Sequence, residues 1–121
     1  MKYRLMDILA CPMCRSFPLR LTVLEREQRY KVGETIRCEL YCSFHEGMVA
    51  ELPETRCWEC YSWEILSGIL TCQSCGRWYP IIDEIPIMLP DEFRDRAREK
   101  EFLNKWVDKI PSGVVRAESA D

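Results

Sequence analysis

The chain has 121 residues and a formal net charge of −3. This length allows one domain, or one small domain with an insertion, and we find neither a signal peptide nor an apolar stretch long enough to span a membrane. The acidic balance argues against an autonomous nucleic-acid-binding domain, because phosphate binding usually requires a basic face.

Two elements are predicted before the centre of the chain. Residues 5–9 form a short helix or turn whose apolar side consists of Leu5, Ile8 and Leu9. Residues 19–24 alternate as a half-buried strand does, and its inner face consists of Leu19, Leu21 and Val23. The charged residues 25–31 are expected to continue this strand into a hairpin that closes near Gly33.

The centre of the chain, residues 35–63, is rich in cysteine and weakly periodic. A helical turn would place Cys38, Cys42 and His45 on one face. Cys57 and Cys60 add two more thiols. Four of these five side chains, most simply the four cysteines, could bind a second zinc ion. Disulfides in a hyperthermophilic source, or free buried thiols, are the alternatives.

A strand with Gly68 in a turn or bulge is predicted over residues 64–71. Residues 78–90 contain three prolines, each of which removes a ladder donor. This run is therefore predicted to form two short edge-type strands around an Asp83–Glu84 turn.

The last predicted element is a helix that begins at the N-cap Asp91, extends to about Lys109 and is ended by Pro111. Its apolar stripe consists of Phe93, Ala97, Leu103, Trp106, Val107 and Ile110. Residues 111–121 are expected to be a flexible tail.

The eight cysteines form four pairs along the chain. Thiols stay reduced in the cytoplasm, where we expect this protein, and paired thiols there favour metal binding. Two pairs have Cys-x-x-Cys spacing and flank the central segment: Cys11, Cys14, Cys72 and Cys75. Each such loop lets two thiolates converge on one tetrahedral ion, so together they predict a closed structural zinc site. Gly76 suits the tight turn after the second pair, and Arg15 and Arg77 would offset the negative charge.

This metal site is not expected to be catalytic. Catalytic zinc keeps an open position, and four cysteines leave none. A rubredoxin-like iron site has the same spacing and stays open as an alternative metal. The chain also lacks a phosphate-binding loop and a nucleophile elbow, and it has one histidine, so we expect no enzymatic activity.

Residues 1–14, MKYRLMDILACPMC, and residues 70–90 stand at opposite ends of the predicted domain. Their joint occurrence resembles the small zinc-binding activator subunit of S-adenosylmethionine-dependent methyltransferases. The resemblance implies a non-catalytic subunit that forms a heterodimer with a Rossmann-fold methyltransferase, adds a strand to its sheet, and makes it soluble and better at binding its methyl donor. The partner, not this chain, would modify tRNA, rRNA or a release factor.

The resemblance also has two departures. Eukaryotic relatives carry a helical insertion between the two cysteine pairs, whereas the short cysteine-rich insertion here is similar to the archaeal branch. The family often has Asp-Gly where this chain has Asp83 and Glu84.

The expected fold is a small α+β, zinc-ribbon-like domain with short β-strands and helices near both ends. Residues 1–34 and 64–110 form the zinc-binding domain, and residues 35–63 form the cysteine-rich insertion. The apolar run over residues 81–89 exceeds what such a domain can cover, which indicates a partner site. The expected partner-binding residues are Leu5, Ile8, Trp78, Tyr79, Ile81, Ile82, Ile85, Ile87, Met88 and Leu89.

Two other functions fit parts of the pattern. A zinc-ribbon nucleic-acid-binding module of the transcription or translation machinery would use the aromatic side chains Trp58, Tyr61 and Trp63, but Glu59 and Glu64 lie among them. An iron electron carrier would be red when oxidised.

Overall fold

The computed structural model of the chain describes residues 1–110 and contains both helices and strands, which confirms the predicted α+β class. Within this part of the chain, no helix is both long and apolar enough to cross a membrane. The predicted tail and the helix stop at Pro111 lie outside the described residues. In chain order, the elements are a 3₁₀ turn (Tyr3–Asp7), β1 (Arg20–Gln28), β2 (Tyr41–Cys42), β3 (Gly47–Met48), a 3₁₀ turn (Val49–Glu51), α1 (Cys57–Ser62), β4 (Trp63–Thr71), β5 (Trp78–Ile82), β6 (Ile85–Pro86), a 3₁₀ turn (Asp91–Phe93) and α2 (Arg96–Lys105).

The main sheet has four antiparallel strands in the order β1-β4-β5-β6. The predicted hairpin near Gly33 is wrong, because β1 pairs with β4 across the whole central segment. The physical reason is burial: the second half of β1 is charged and offers little apolar surface, whereas β4 contributes the fully buried Ile65 and Ile69 to the core. The two small strands β2 and β3 form a separate hairpin inside the central segment.

Gly68 lies within the continuous strand β4, so of the two predicted alternatives, a turn or a bulge, the turn is wrong. A Cβ atom on Gly68 would lie 2.8 Å from the carbonyl oxygen of Thr22, so the close approach of β1 requires a glycine here. The bulge lies directly beside Gly68, because the register of the β1–β4 pairing shifts between Val23, which pairs with Gly68, and Glu25, and shifts again between Glu25 and Arg26.

The predicted inner face of β1 is confirmed, since Leu19, Leu21 and Val23 all pack in or against the same core cluster on one side of the sheet. The N-terminal turn also packs against this cluster through the buried side chains of Tyr3 and Met6. Of the predicted apolar side, Leu5 and Leu9 pack against the cluster and are partly buried. Ile8 is 74% exposed. A 3₁₀ turn brings residues three apart onto one side, which explains the spacing.

The two predicted strands around Asp83 and Glu84 are confirmed as β5 and β6. Both turn residues have positive φ, 50° and 69°, as the tight turn of a two-residue hairpin requires. The edge-type prediction fits β6 alone, because β5 pairs with β4 on one side and with β6 on the other. Pro80 is tolerated inside β5, where it pairs with Ile69.

The predicted start of the last helix is wrong. Helix α2 begins at Arg96, and the Asp95 side chain caps it by accepting a hydrogen bond of 3.1 Å from the backbone N–H of Arg98. Asp91 instead forms an ion pair of 2.8 Å with Arg77. The carboxylate that was predicted to cap the helix therefore connects the chain to the second Cys-x-x-Cys loop.

The predicted apolar stripe of this helix is confirmed in part, because Leu103, Trp106 and Ile110 pack against the core cluster that contains Trp78. Phe93 and Val107 are 66% and 62% exposed, whereas Phe102, absent from the predicted stripe, is buried and stacks on Trp78. Phe102 lies one helical turn before Trp106, so the two side chains face the second side of the sheet together. A buried ion pair of 2.7 Å between Arg94 and Glu99 holds the helix in this position.

Candidate metal centre

The first Cys-x-x-Cys loop joins the N-terminal turn to β1. The backbone N–H of Cys11 donates to the carbonyl of Ser16 at 3.0 Å, and the N–H of Arg15 donates to the carbonyl of Cys11 at 2.8 Å. Arg15 has a positive φ of 65°, which turns the chain back directly after Cys14. The loop is thus closed by its own main chain.

The second loop joins β4 to β5 and repeats this pattern. The N–H of Cys72 donates to the carbonyl of Arg77 at 2.8 Å, and the N–H of Gly76 donates to the carbonyl of Cys72 at 2.9 Å. Gly76 has a φ of 76°, so the predicted tight turn after the second cysteine pair is confirmed. Two loops with the same main-chain geometry therefore present their thiols in the same way.

The pairing of β1 with β4 brings the two loops together. Arg20, just after the first loop, lies opposite Thr71, just before the second. Both loops consequently lie at the same end of the sheet, although they are far apart in sequence. The strand register thus gives the physical reason why the two cysteine pairs meet.

The four sulfur atoms of this set, which we call the sheet-end tetrad, all lie within 4.8 Å of one another: Cys11, Cys14, Cys72 and Cys75. Two of the Sγ–Sγ separations are 3.4 Å and 3.7 Å. Zinc–sulfur bonds of about 2.3 Å in a tetrahedron give sulfur separations of about 3.8 Å. The donor set and its spacing therefore fit a tetrahedral zinc ion, and the site is suited to a metal that stabilises structure.

Buried and exposed thiols alternate in this tetrad. Cys11 and Cys72 are each 1% exposed, whereas Cys14 is exposed. Burial raises the pKa of Cys72 to about 11. The Ser16 hydroxyl, 3.3 Å from the Cys14 sulfur, and the Ser16 backbone lower the pKa of Cys14 to about 6.

Tyr79 is a metal-centre residue that the sequence analysis assigned to the partner surface. Its side chain is fully buried, and its hydroxyl lies 3.1 Å from the Cys11 sulfur. Burial raises the pKa of Cys11, but the Tyr79 hydroxyl and nearby backbone N–H groups lower it further, so the thiolate is favoured. Tyr79 pairs with Leu70, two residues before Cys72, and this strand register places its side chain near the cysteines.

Arg77 supports the tetrad electrostatically. Hydrogen bonds to Asp91 and then to Cys75 raise the pKa of the Arg77 guanidinium above its ordinary value. The Arg77 guanidinium therefore lies beside the Cys75 thiol and is paired with the Asp91 carboxylate. This position is expected of a residue that offsets thiolate charge. The corresponding role of Arg15 stays a prediction.

The remaining cysteines form a second set in the central segment, which we call the insertion set: Cys38, Cys42, Cys57 and Cys60. The predicted helical turn at its start is wrong, because Tyr41 and Cys42 form strand β2. The turn that follows brings His45 Nδ1 to 3.4 Å from the Cys42 sulfur. Among residues 1–110, the sheet-end tetrad is the group whose possible ligand atoms all lie within 4.8 Å of one another. The possible ligand atoms of the insertion set are therefore spread more widely.

Burial and the neighbouring thiols raise the pKa of two thiols in the insertion set, whereas the pKa of Cys14 is lowered. They raise the pKa of Cys38 to about 11 and that of Cys60 to about 12. All eight cysteines are free.

The expected partner-binding residues divide into two groups. Trp78, Tyr79 and Ile81 are at most 3% exposed, so the prediction that they contact a partner is corrected: they form the core beneath the surface. The other seven are partly or well exposed: Leu5, Ile8, Ile82, Ile85, Ile87, Met88 and Leu89. Leu5 and Ile8 also line an open groove of about 360 Å³.

A comparison with protein families gives one match. The family model described as Trm112p-like protein matches residues 2–84. This range includes both cysteine sets and strands β1–β5. No curated protein matches the chain.

Proposed function

Because the chain belongs to the Trm112p-like family, a family of non-catalytic methyltransferase activator modules, we propose that it stabilises and activates S-adenosylmethionine-dependent methyltransferases. The single observation that carries this proposal is the family match over residues 2–84. The proposed partners are Rossmann-fold catalytic subunits in the cytoplasm, each forming a heterodimer with this chain. Their targets would be tRNA, rRNA or a translation factor, contacted through the catalytic subunit.

The proposed docking surface, which we call the β6 edge, comprises residues 85–89. Strand β6 is the last strand of the main sheet, so its outer side faces no other strand in residues 1–110. Ile85 is 59% exposed and Leu89 is 37% exposed, so apolar side chains are exposed along this edge. Such an edge suits strand addition, in which main-chain pairing gives affinity and alternate side chains give specificity. A stable interface of this type buries about 1,600 Å² in total.

The proposed cofactor is zinc at the sheet-end tetrad. Four thiolates close the coordination sphere, so the ion would supply stability to the fold and would leave no position for a substrate. The ion would fix the ends of β1, β4 and β5, and β5 carries β6 as its neighbour. The β6 edge would therefore depend on this metal even though it does not touch it.

The division of the chain into a zinc-binding domain, residues 1–34 and 64–110, and an insertion, residues 35–63, is part of the proposal. The separate β2–β3 hairpin supports it, because this hairpin shares no strand with the main sheet. The assignment to the archaeal branch rests on the short cysteine-rich insertion and stays a prediction.

Capture of partners from the source organism tests the function. A tagged chain is purified from its own host, and the proteins that remain bound are identified by mass spectrometry. We expect one or more methyltransferases whose binding of the methyl donor is stronger with the chain than without it. Tight, steeply salt-dependent RNA binding by the isolated chain, with no methyltransferase captured, would instead favour a nucleic-acid-binding module.

A further inference from the structure

The insertion set brings four thiols from two local elements to one place. Cys38 and Cys42 flank the start of the β2–β3 hairpin, and Cys57 and Cys60 lie on the first turn of α1. Residues three apart on a helix lie on the same side, so both α1 cysteines can face the hairpin. All four line a single small cavity.

This cavity has the size of one ion or one water molecule. Its volume is about 10 Å³, close to one probe sphere, which is about the minimum for a water molecule. Besides the four cysteines, its lining includes His45. A cavity of this size with four sulfur donors suits a single thiophilic cation far better than an organic ligand.

His45 connects the two halves of the cavity. Its Nε2 accepts a hydrogen bond of 3.3 Å from the backbone N–H of Arg56, directly before the α1 cysteines. Because Nε2 is the acceptor, a neutral imidazole carries its proton on Nδ1. That N–H lies 3.4 Å from the Cys42 sulfur and can donate to it. The geometry therefore gives His45 a supporting position beside a cysteine ligand.

Asp7 fixes the loop between the first two cysteines of the set. Its carboxylate accepts hydrogen bonds of 2.8, 2.9 and 2.8 Å from the backbone N–H groups of Glu39, Leu40 and Tyr41. Asp7 belongs to the N-terminal turn, which packs on the main core. The hairpin side of the cavity is thus held to the body of the protein by a charged clamp.

We propose that the insertion set binds a second zinc ion through the sulfurs of Cys38, Cys42, Cys57 and Cys60, with His45 as a hydrogen-bond donor and not a ligand. The ion would connect the hairpin to α1, two elements that share no strand pairing. This inference concerns the isolated chain and is independent of the proposed methyltransferase partner.

Metal content tests the proposal on the purified full-length protein. We expect two zinc ions per chain by elemental analysis, and a fall from two to one in the Cys38→Ser and Cys57→Ser variants. Both residues are only half-buried, so the variants should keep the main fold, which circular dichroism checks. One zinc ion in the wild-type protein would overturn the proposal. An intact mass lowered by two hydrogens per disulfide, with one zinc, would overturn it in favour of disulfides.

A second measurement tests the position of His45. Cobalt is substituted for zinc, and the sulfur-to-metal charge-transfer bands are compared between wild type and His45→Ala. We expect the variant to keep two metal ions and four-thiolate bands at both sites, with faster release of the second ion to a chelator. Loss of the second ion in His45→Ala, together with its retention in one of the four cysteine variants, would overturn the assignment of four sulfur ligands.

Discussion

The two cysteine sets are built from the same side chains but on very different main chain. Each loop of the sheet-end tetrad is closed by two main-chain hydrogen bonds, and long paired strands hold the two loops together. The insertion set depends on two-residue strands and a six-residue helix. The first set is therefore preorganised by the sheet, whereas the second is positioned by local contacts from Asp7 and His45.

This difference in main-chain support indicates at which cysteine set metal binding should matter for the fold. The sheet-end tetrad connects the beginning of the domain to the β4–β5 turn, so a metal ion there closes the core. A metal ion in the insertion set closes a segment that packs on the core but shares no strand with the main sheet. Variants of the two cysteine sets should therefore differ in their effect on the stability of the fold.

The largest expected effect is that of Cys72→Ser. Metal-binding free energy is folding free energy at such a site, so the loss should reach about 10 kcal/mol and unfold the domain. Cys57→Ser is the matched control and should leave the melting of the main sheet nearly unchanged. Thermal unfolding followed by circular dichroism, with zinc content measured in parallel, compares the two. Equal unfolding of both variants would show that the insertion is part of the same cooperative core.

The next effect is that of Asp7→Ala, which removes the acceptor of three backbone N–H groups. We expect a cost of about 2 kcal/mol, confined to the insertion, because the hydrogen bonds from these N–H groups to a charged carboxylate are lost. Amide hydrogen exchange should increase at Glu39, Leu40 and Tyr41 and stay unchanged in β4. Asp83→Asn, at an exposed turn, is the control, and faster exchange throughout β4 would contradict the local role of Asp7.

The Asp7 clamp should also depend on pH. Burial raises the pKa of this carboxyl, but hydrogen bonds from Tyr41, Glu39 and Leu40 lower it further, so its folded pKa lies below the ordinary value. Its stabilising contribution is therefore complete above about pH 4 and is lost as the pH falls through the folded pKa. Hydrogen exchange of the same three amides across this range, in wild type and Asp7→Ala, should converge only at the acid end.

The smallest effect is that of Tyr79→Phe, which removes the hydroxyl beside Cys11 and keeps the ring. We expect a loss of about 1 kcal/mol with zinc still bound, because the ring fills the core and only one hydrogen bond is lost. Release of the sheet-end zinc to a chelator should become faster, while release from the insertion set should not change. Unchanged release rates would mean that the hydroxyl does not support the thiolate.

The sequence predicted what depends on spacing and alternation. The Cys-x-x-Cys loops, the inner face of β1 and the β5–β6 hairpin all follow local rules, and the structure has them. It could not predict that β1 pairs with β4, because that choice depends on apolar burial across the whole central segment. It also placed the N-cap of the last helix at Asp91, because a sequence does not show that Arg77 competes for this carboxylate.

The candidate metal centre was also predicted only in part. Cysteine spacing predicted the four residues that the structure brings together in the sheet-end tetrad, but Tyr79 was assigned to the surface because strand alternation alone does not say which face is inside. Cys38, Cys42 and His45 were expected on a helical turn, and the structure has the β2–β3 hairpin there instead. There, Glu46 takes a positive φ of 52° that no local signal in a glutamate indicates.

The most direct test of the proposed function is to determine which region of the chain binds the methyltransferase. Ile85 on the β6 edge and Ile36 in the insertion are 59% and 61% exposed, and Val107 after α2 is 62% exposed, so an aspartate at each disturbs the free protein equally little. The affinity of the captured partner is measured for all three variants, with zinc content and melting as checks. We expect Ile85→Asp to weaken binding about a hundredfold, because a charge enters a desolvated contact, and the other two to bind as wild type. Unchanged binding by Ile85→Asp, with loss in Ile36→Asp or Val107→Asp, would contradict the account.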